Sequence, residues 1–479
     1  MFQLINEILL EFRKEFKRIK TWQWFVILTA AFMIRHNYRG VTSVISTLRL
    51  KPKLYHAMLH FFRSSAYSVE GLYGRWIKTA AKHGTFTRIE GRIVALGDHI
   101  NISKEGLHMP GIEILHQESD NSGKPKFISG HKFGQVSAVM TNGQTSRSLP
   151  LMTEMQTSPP WIKIKGKKVA QGDTTVTQMV KLIDKTAQFL GEPVVAALDA
   201  YFSSEAAWAV ADRAITEVGE RRVEIVTRGQ TNTVGYTIPE PPEVRRPGQP
   251  RVYGDRVVLY NLFADAHKDR FTHTTMTMYG KETNVRYLCI DLIWKPVKKL
   301  VRFVAVETDS GFCVLMSSDL TLHPESIITI YSLRFKIETS FDEQKNDMGV
   351  FDYHFWTEAQ PKRKRKKKAE PPPSCDANQQ KKIDDTKKAI ESHVCLCIIA
   401  TGILTVIAFT HNREIWKRYP GWIRTLRSPV PTIATVKETL VHEIPLYLSL
   451  FPHVPFCSII NFRRRHEEFI YEDVFDEAG

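Results

Sequence analysis

Two short apolar stretches, each running into an aspartate, constrain the fold of this chain more than any other feature. "RIVALGD" ends at Asp98, and "VVAALD" ends at Asp199. Apolar runs of this length predict buried strands. Between them, residues 174–191 have the apolar spacing of an amphipathic helix. Strands that alternate with helices indicate an α/β fold, and carboxylates at strand ends lie where open α/β sheets carry their active sites.

The charge balance indicates a polyanionic partner. The 479 residues include 66 Lys and Arg against 51 Asp and Glu, which gives a net charge of +15. A surplus of this size favours nucleic acid or an anionic membrane surface. The six cysteines lack the paired spacing of a zinc site or a disulfide framework, so a reducing compartment is expected.

Two apolar runs bear on the choice between a soluble and a membrane protein. Residues 24–34 form an eleven-residue run, and residues 394–409 form a sixteen-residue run. Both fall short of the roughly 20 residues that span a bilayer. We therefore expect 394–409 to be a buried core helix, with a membrane-associated basic protein as the alternative. No targeting segment is evident, so the cytoplasm is the expected location.

The N-terminal region, residues 1–85, has the pattern of several short basic helices. Its cations recur among apolar positions: Arg35, Arg39, Arg49, Lys51, Lys53 and Arg63. This spacing suits a helix-turn-helix unit that is positioned on DNA phosphates. An ordinary helical bundle with a solvated basic face is the alternative.

The rest of the chain divides by changes of pattern. The expected units are a first part of the catalytic core at 86–220, a β-rich insertion at 221–316, a second core part at 317–445 with a basic and Pro-rich loop at 361–378, and a C-terminal tail at 446–479. The loop is expected to be solvated, because a run of like charges followed by prolines cannot form a packed core.

Residues 331–345, "YSLRFKIETSFDEQK", have the pattern of one helix with a narrow polar stripe. At about 100° per residue the stripe covers a sector roughly 60° wide. It carries Tyr331, Arg334, Glu338 and Lys345. Leu333, Ile337 and Phe341 fall outside the sector and are expected to face the core.

Three carboxylates, Asp98, Asp199 and Glu338, are candidates for one site. If they converge they repel one another, and divalent cations relieve that repulsion. Oxygen ligands of this kind suit Mg²⁺, or Mn²⁺ in its place. Two such ions can activate a water or a 3′-hydroxyl and stabilise the leaving oxygen of a phosphodiester. Arg334 and Lys345 would then hold phosphates, and Tyr331 would donate a hydrogen bond to one.

The polar stripe also resembles a known family. Tyr331-x2-Arg334-x3-Glu338-x6-Lys345 is similar to the Tyr-Arg-Glu-Lys (YREK) signature of a group of bacterial DDE insertion-sequence transposases. Four further segments look like segments of that family: "ALGDHINISKEGLHMPG" (95–111), "LDAYF" (198–202), "TRGQTN" (227–232) and "LMSSDL" (315–320). The resemblance covers roughly residues 30–350 and continues more weakly to about 445.

The resemblance implies a ribonuclease-H-like mixed sheet with flanking helices, interrupted by a β-rich insertion and preceded by the helical DNA-binding domain. It implies cut-and-paste transposition of an insertion sequence that depends on two Mg²⁺ ions, which Asp98, Asp199 and Glu338 would hold. The implied partners are double-stranded DNA, as terminal inverted repeats and as target, and a second copy of the chain, in the nucleoid of a prokaryote with no membrane involved.

The resemblance also implies a set of DNA contacts. These are Tyr331, Arg334, Lys345, Arg228, Arg39 and Trp294. In the family role Trp294 would stack on a flipped base of a hairpin intermediate, but a half-buried strand residue is the favoured interpretation.

Several alternatives remain open from the sequence. Asp173 competes with Asp98 as the first carboxylate, although its position before a helix favours an N-cap. His99 and His131 are interpreted as structural rather than as metal ligands. For function, the alternatives are a DNA-binding protein of the same fold without transposition activity, domesticated or inactive, and a nuclease that cleaves DNA without joining it.

Overall fold

The structure is a computed structural model, and it describes residues 1–36, 40–117, 123, 125–164, 167–241, 251–363, 376–422 and 428–464. Its α-helices are α1 Phe2–Glu11, α2 Ile19–Ile34, α3 Thr42–Thr47, α4 Tyr55–Arg63, α5 Val69–His83, α6 Thr175–Leu190, α7 Glu205–Ala211, α8 Pro324–Leu333, α9 Lys336–Asn346, α10 Ala377–Thr410, α11 Asn412–Arg418, α12 Ile433–Leu450 and α13 Pro455–Asn461. Short 3-10 helices cover Phe12–Glu15, Pro52–Leu54, Ala200–Phe202, Leu259–Phe263 and Asp265–Arg270.

The strands are β1 Arg88–Ile89, β2 Arg92–Ser103, β3 Glu113–His116, β4 Phe127–Thr141, β5 Ser146–Gln156, β6 Trp161–Ile164, β7 Lys167–Ala170, β8 Val194–Leu198, β9 Val223–Arg228, β10 Val234–Tyr236, β11 Arg256–Val258, β12 Thr272–Met278, β13 Lys281–Trp294, β14 Lys299–Thr308 and β15 Gly311–Ser317. Thirteen of them form one sheet in the order β11-β10-β13-β14-β15-β9-β8-β2-β4-β3, with β1 on β2, β12 on β13 and β5 on β4. The expected α/β class is confirmed: the sheet is mixed and helices flank it.

The centre of the sheet is parallel. β2 pairs with β8, and β8 pairs with β9, both in parallel. All five residues of β8 are buried, which explains its continuous apolar sequence. The connection from β5 to β8 passes through α6, which is capped by the Thr174 side chain at its N-terminus and by Gly191 at φ 74° at its C-terminus.

The segment between β9 and α8 is rich in strands and continues the same sheet. β15 pairs antiparallel with β9, and β14 and β13 follow outward in antiparallel order. β9 itself falls within the range 221–316 that the sequence pattern assigns to the insertion, yet it pairs directly with β8. Strands β10–β15 therefore extend the central sheet beyond β9.

Residues 331–345 do not form one helix, so that prediction is wrong. α8 ends at Leu333 and α9 begins at Lys336, while the two residues between them keep helical dihedral angles. The backbone N–H groups of Arg334 and Ile337 bond three residues back rather than four, which tightens the chain at this point. The apolar side was predicted correctly, since Ile337 is fully buried, Phe341 is 8% exposed and Leu333 packs against the core.

α10 is the buried core helix that the sequence predicts for residues 394–409. It is the one described helix that is long and apolar enough to cross a membrane, and 89% of its apolar window is buried inside the protein. A second candidate exists only if α12 and α13, which are bent by 89°, are counted as one span. Gly402 of α10 packs against Trp76 of α5, whose indole N–H donates to the carbonyl of Pro150 at 2.9 Å.

The N-terminal helices pack against the rest of the chain. α2 lies against α10, α12 and α13, and its residues from Trp24 to Ile34 are all buried. Arg35, expected among the phosphate-binding cations, is fully buried and donates to the carbonyls of Met348 and Gly349. The guanidinium is therefore not available to DNA, because the end of α2 is covered by the turn after α9.

A pH effect on stability is expected from Glu391 in α10. Burial raises the pKa of this carboxyl to about 7, and the charge of Glu154 acts in the same direction while Lys387 and Lys185 oppose it. The folded chain thus binds the proton more tightly than the unfolded chain, so the free energy of unfolding falls as the pH rises from about 4.5 to about 7. The Glu391→Gln variant should escape this loss and gain up to about 3 kcal/mol over the unsubstituted chain at pH 8.

Denaturant unfolding of both chains at pH 4.5 and pH 8 measures this difference. Glu217→Gln, at an exposed position, is the matched control and should show no such pH-dependent gain. An equal response of the two variants would contradict the assignment to Glu391.

Candidate active site

Asp98 and Asp199 lie at the same level on neighbouring parallel strands. The last parallel pair of β2 and β8 joins Leu96 to Ala197, and each aspartate follows two residues later. Asp199 comes directly after β8, as predicted. The prediction that the first strand ends at Asp98 is wrong, because β2 leaves β8 there but stays paired with β4 as far as Ser103.

The alternation of β2 sets the face on which Asp98 lies. A Cβ added at Gly97 would meet Leu198, Ile183 and Met179, so this position faces α6. Its neighbour Asp98 therefore points to the opposite face of the sheet, where α8 crosses β8 and β9 and α9 lies against β2. Gly97 also allows α6 to approach the sheet closely at this level.

Arg334 joins two of the candidate carboxylates. One terminal nitrogen of its guanidinium lies 3.4 Å from Oδ2 of Asp98, and the other donates to Oε1 of Glu338 at 2.6 Å. The Arg334 and Asp98 side chains are 18% and 19% exposed, while Glu338 is 43% exposed. Residues that are 236 positions apart in sequence thus meet within the span of one guanidinium.

Asp199 completes an electrostatically coupled group. Burial raises the pKa of Asp98 to about 6; the His99 backbone N–H and Arg334 act to lower it, and the charges of Asp199 and Glu338 raise it further. The side-chain carboxylate of Asp199 also accepts a hydrogen bond from the Tyr201 backbone N–H. The backbone carbonyl of Asp199 accepts one from the Thr227 hydroxyl at 2.6 Å. Asp98 and Glu338 therefore share Arg334 as a counter-charge, and Asp199 lies near enough for its charge to act on Asp98.

Tyr331 and Arg228 lie beside this group. Burial raises the pKa of Tyr331 to about 12, while the positive charges of Arg334 and Arg228 oppose the shift and Asp199 contributes to it. Arg228 is the last residue of β9 and pairs with Leu315 of β15. Because β8 and β9 are parallel and Leu198 pairs with Thr227, Arg228 and Asp199 lie at the same C-terminal end of these two strands. Lys345 is exposed near the end of α9, two turns beyond Glu338.

The donor set suits a hard divalent cation, although the side chains are not arranged around one. Asp98, Asp199 and Glu338 offer only carboxylate oxygens, which Mg²⁺ and Mn²⁺ prefer. Among the residues that the structure describes, no three His, Cys, Asp or Glu side chains are grouped so that they could hold one metal ion. In this conformation the guanidinium of Arg334 occupies the position between Asp98 and Glu338 that a metal ion would need.

The structure corrects the role expected of Trp294. Its side chain is only 6% exposed at the end of β13 and packs edge-on against Trp208, with ring centroids 5.2 Å apart. A base cannot stack on an indole that is covered in this way. Arg39 lies outside the described residues.

Asp173 is separate from the acidic group. It pairs with Lys181 at 2.6 Å and accepts from the Thr177 hydroxyl, while the N-cap of α6 is Thr174 rather than Asp173. The prediction of an N-cap at Asp173 is therefore wrong by one residue. Asp342, on the far side of α9 from the core, bonds to Asn346 within the same helix.

The two histidines have structural roles, as expected. His99 bonds to Oε1 of Gln156 at 2.7 Å, and burial lowers its pKa to about 4. His131 is fully buried between the Tyr353 hydroxyl and the carbonyl of Pro110. Neighbouring oxygens hold each ring in place, and burial, which disfavours the charged imidazolium, leaves it neutral near pH 7. The five described cysteines are free thiols.

Tyr201, beside the site, and Arg92, at the opposite end of β2 from Asp98, did not stand out in the sequence. Tyr201 is 51% exposed, and its ring lies edge-on to His99 beside Asp199. Its position two residues after the second aspartate was the available signal. Arg92 pairs with the buried Asp319 of "SSDL", which ties the start of β2 to the chain after β15. Only the tertiary structure reveals that Arg92 and Asp319 are neighbours.

Comparison with protein-family models finds no match, and comparison with curated proteins finds no significant match.

Proposed function

We propose that this chain is a DNA transposase that cuts and joins phosphodiester bonds with the help of divalent metal ions. The observation that carries the proposal is the meeting of Asp98 and Glu338 on Arg334, with Asp199 level with Asp98 on the adjacent strand. Carboxylates at the ends of adjacent parallel strands, facing a helix that brings in a third, suit phosphodiester chemistry.

The sheet supports a ribonuclease-H-like core as the finer fold assignment. β2, β4 and β5 form an antiparallel group, and β8 and β9 add in parallel on the other side of β2. The strands β10–β15 then fit a β-rich insertion that separates Asp199 from Glu338 in sequence. A core of this kind needs the two aspartates on neighbouring strands, and the register of β2 and β8 meets this requirement.

Asp98, Asp199 and Glu338 would hold two Mg²⁺ ions, which when bound would activate the attacking oxygen and stabilise the leaving oxygen. The low exposure of Asp98 and Arg334 limits the access of water and strengthens their electrostatic interactions. Arg334 has five N–H donors, so the nitrogens that face Asp98 and Glu338 do not exhaust its capacity to bind a phosphate oxygen. Tyr331 would donate a hydrogen bond from its hydroxyl to a second phosphate oxygen.

The cations around the acids would orient the DNA. Arg228 lies at the same C-terminal end of the parallel strands as Asp199, and Lys345 is exposed on α9. The net charge of +15 favours the same polyanion. We take the substrates to be terminal inverted repeats and target DNA, cut by two copies of the chain in the nucleoid of a prokaryotic cell.

The purified chain should cleave a duplex that carries the ends of its own element when Mg²⁺ or Mn²⁺ is added. Binding of that duplex without any metal-dependent cleavage would contradict the proposal. It would favour the alternative of a DNA-binding protein that lacks the chemistry. Cleavage without strand joining would favour a nuclease of the same fold.

Arg334→Ala is expected to weaken binding of the end duplex. Loss of a charged hydrogen bond to phosphate costs about 1.5–3 kcal/mol, which is roughly 10- to 150-fold in the dissociation constant. Fluorescence anisotropy in EDTA measures binding without cleavage. Arg256→Ala, at an exposed position in β11, is the matched control and should bind nearly as the unsubstituted chain does. Equal losses for the two variants would argue against a specific role for Arg334.

A further inference from the structure

A basic cavity lies where the N-terminal helices meet α13, and its lining includes residues of both α2 and α13. A cavity of about 720 Å³ is lined there by residues that include Lys20, Lys51, Lys53 and Arg463. None of the described residues that line it is acidic. A cavity of this volume can accept one or two nucleotides, since small-molecule sites span roughly 300–1,000 Å³.

Among the described residues, the cations of this cavity have no carboxylate beside them in its lining. Within the described part of the chain, none of its four cations forms an ion pair with a carboxylate. Arg463 is held in place by neutral oxygens: it donates to Oε1 of Gln23 at 2.6 Å and to the carbonyl of Ile459 at 3.2 Å. Partial burial lowers the pKa of Arg463, and no carboxylate stands among the described residues that line the cavity with it. A polyanion is the ligand whose charge complements these four cations.

Aromatic rings accompany the cations. Phe462 lines the cavity and is 79% exposed, one of the largest exposures of an apolar side chain in the described residues. The guanidinium of Arg463 lies 5.8 Å from the Phe462 ring centroid and 5.6 Å from that of the buried Trp24. Proteins that bind single-stranded nucleic acid combine cations, which bind the phosphates, with exposed aromatic rings, which stack on the bases. This cavity contains both components.

The site joins the two ends of the described chain. The backbone N–H of Lys51 donates to the carbonyl of Arg463 at 3.1 Å, and Leu50 and Arg464 form an isolated β-bridge. α13 also packs against α2. Backbone hydrogen bonds thus hold Lys51 and Lys53 in a fixed position relative to Arg463. This preorganisation reduces the conformational entropy that the protein loses when a ligand binds.

We infer that this cavity binds a single-stranded segment of DNA, with Lys51, Lys53 and Arg463 on phosphates and Phe462 stacked on a base. This rests on the proposed function only in taking DNA as the polyanion. The site is separate from Asp98, Asp199 and Glu338, so its occupancy does not require catalytic metal.

The test measures binding of the full-length chain to a labelled single strand of about 15 nucleotides in EDTA. In Lys51→Gln/Lys53→Gln, the slope of log affinity against log salt should fall by about 1.4, since each single-strand phosphate contact contributes about 0.7. In Phe462→Ala, affinity should fall about tenfold at an unchanged slope, because stacking is lost while the charges remain. Lys14→Gln/Lys17→Gln removes the same charge at exposed positions outside the cavity and is the matched control.

If the two lysine pairs behave alike, or if Phe462→Ala binds as the unsubstituted chain does, the inference is overturned. Vesicles of phosphatidylglycerol form a second arm. Loss of vesicle binding in the cavity variants with unchanged single-strand binding would assign the cavity to a lipid surface and also overturn it. Because the assay contains no divalent metal, these outcomes are independent of whether the chain cleaves DNA.

Discussion

Glu338→Gln is expected to abolish metal-dependent cleavage of an end duplex and to leave binding nearly intact. The substitution keeps the size of the side chain and removes one of three carboxylates that would hold the metal ions, so the rate should fall by roughly 1,000-fold. The amide oxygen of the new side chain can still accept from Arg334, which preserves the local geometry. Glu338 is 43% exposed, so loss of its ion pair should change the free energy of unfolding by less than about 1 kcal/mol.

Single-turnover cleavage of a saturating end duplex in Mg²⁺ measures this effect, and anisotropy in EDTA measures binding. Asp342→Asn is the matched control, because Asp342 is an exposed acid of the same helix that bonds only within α9. Its cleavage rate should stay close to that of the unsubstituted chain. Retained cutting by the Glu338→Gln variant would refute the assignment of the third carboxylate.

Gly402→Ala in α10 is expected to destabilise the protein, against the usual effect of this substitution in a helix. Alanine normally stabilises a helix relative to glycine by up to about 1 kcal/mol. Here the added Cβ would lie 2.0 Å from Cζ2 of Trp76, a fully buried indole. The indole is also held by its hydrogen bond to Pro150, so it cannot move away without losing that bond. Overpacking of this kind costs about 1–3 kcal/mol or more.

Thermal and urea unfolding of the Gly402→Ala variant measure the loss. The double variant Trp76→Phe/Gly402→Ala should lose less stability than the sum of the two single variants, because the smaller ring makes room for the methyl group. Additive losses, or a stabilised Gly402→Ala variant, would show that α10 does not pack on Trp76. This result also bears on location, since the clash exists only while α10 is buried in the protein core.

Much of the candidate site follows from local sequence patterns. The apolar runs before Asp98 and Asp199 are strands, because strands of a parallel sheet are buried on both faces and therefore have continuous apolar sequences. The side of 331–345 that carries Ile337 and Phe341 faces the core because helical spacing gathers apolar residues on one face. These inferences need only the few residues around each position.

The errors arose where tertiary contacts override local pattern. Nothing near Asp98 indicates that β2 continues, because its extension depends on pairing with β4. The stacking role of Trp294 came only from the family resemblance, and Trp208 of α7 covers its ring, in agreement with the alternative of a strand residue that is not free to stack. Arg35 is one cation among several in the sequence, but the turn after α9 buries it.

The sequence by itself determined which residues can carry charge and chemistry, and on which strand or helix each one stands. Only the tertiary structure decided that Arg334 contacts Asp98, and that the cations around α2 meet Arg463 near the other end of the chain. The physical reason is range: propensity and periodicity act over a few residues, whereas the register of a sheet and the packing of helices upon it bring distant side chains together.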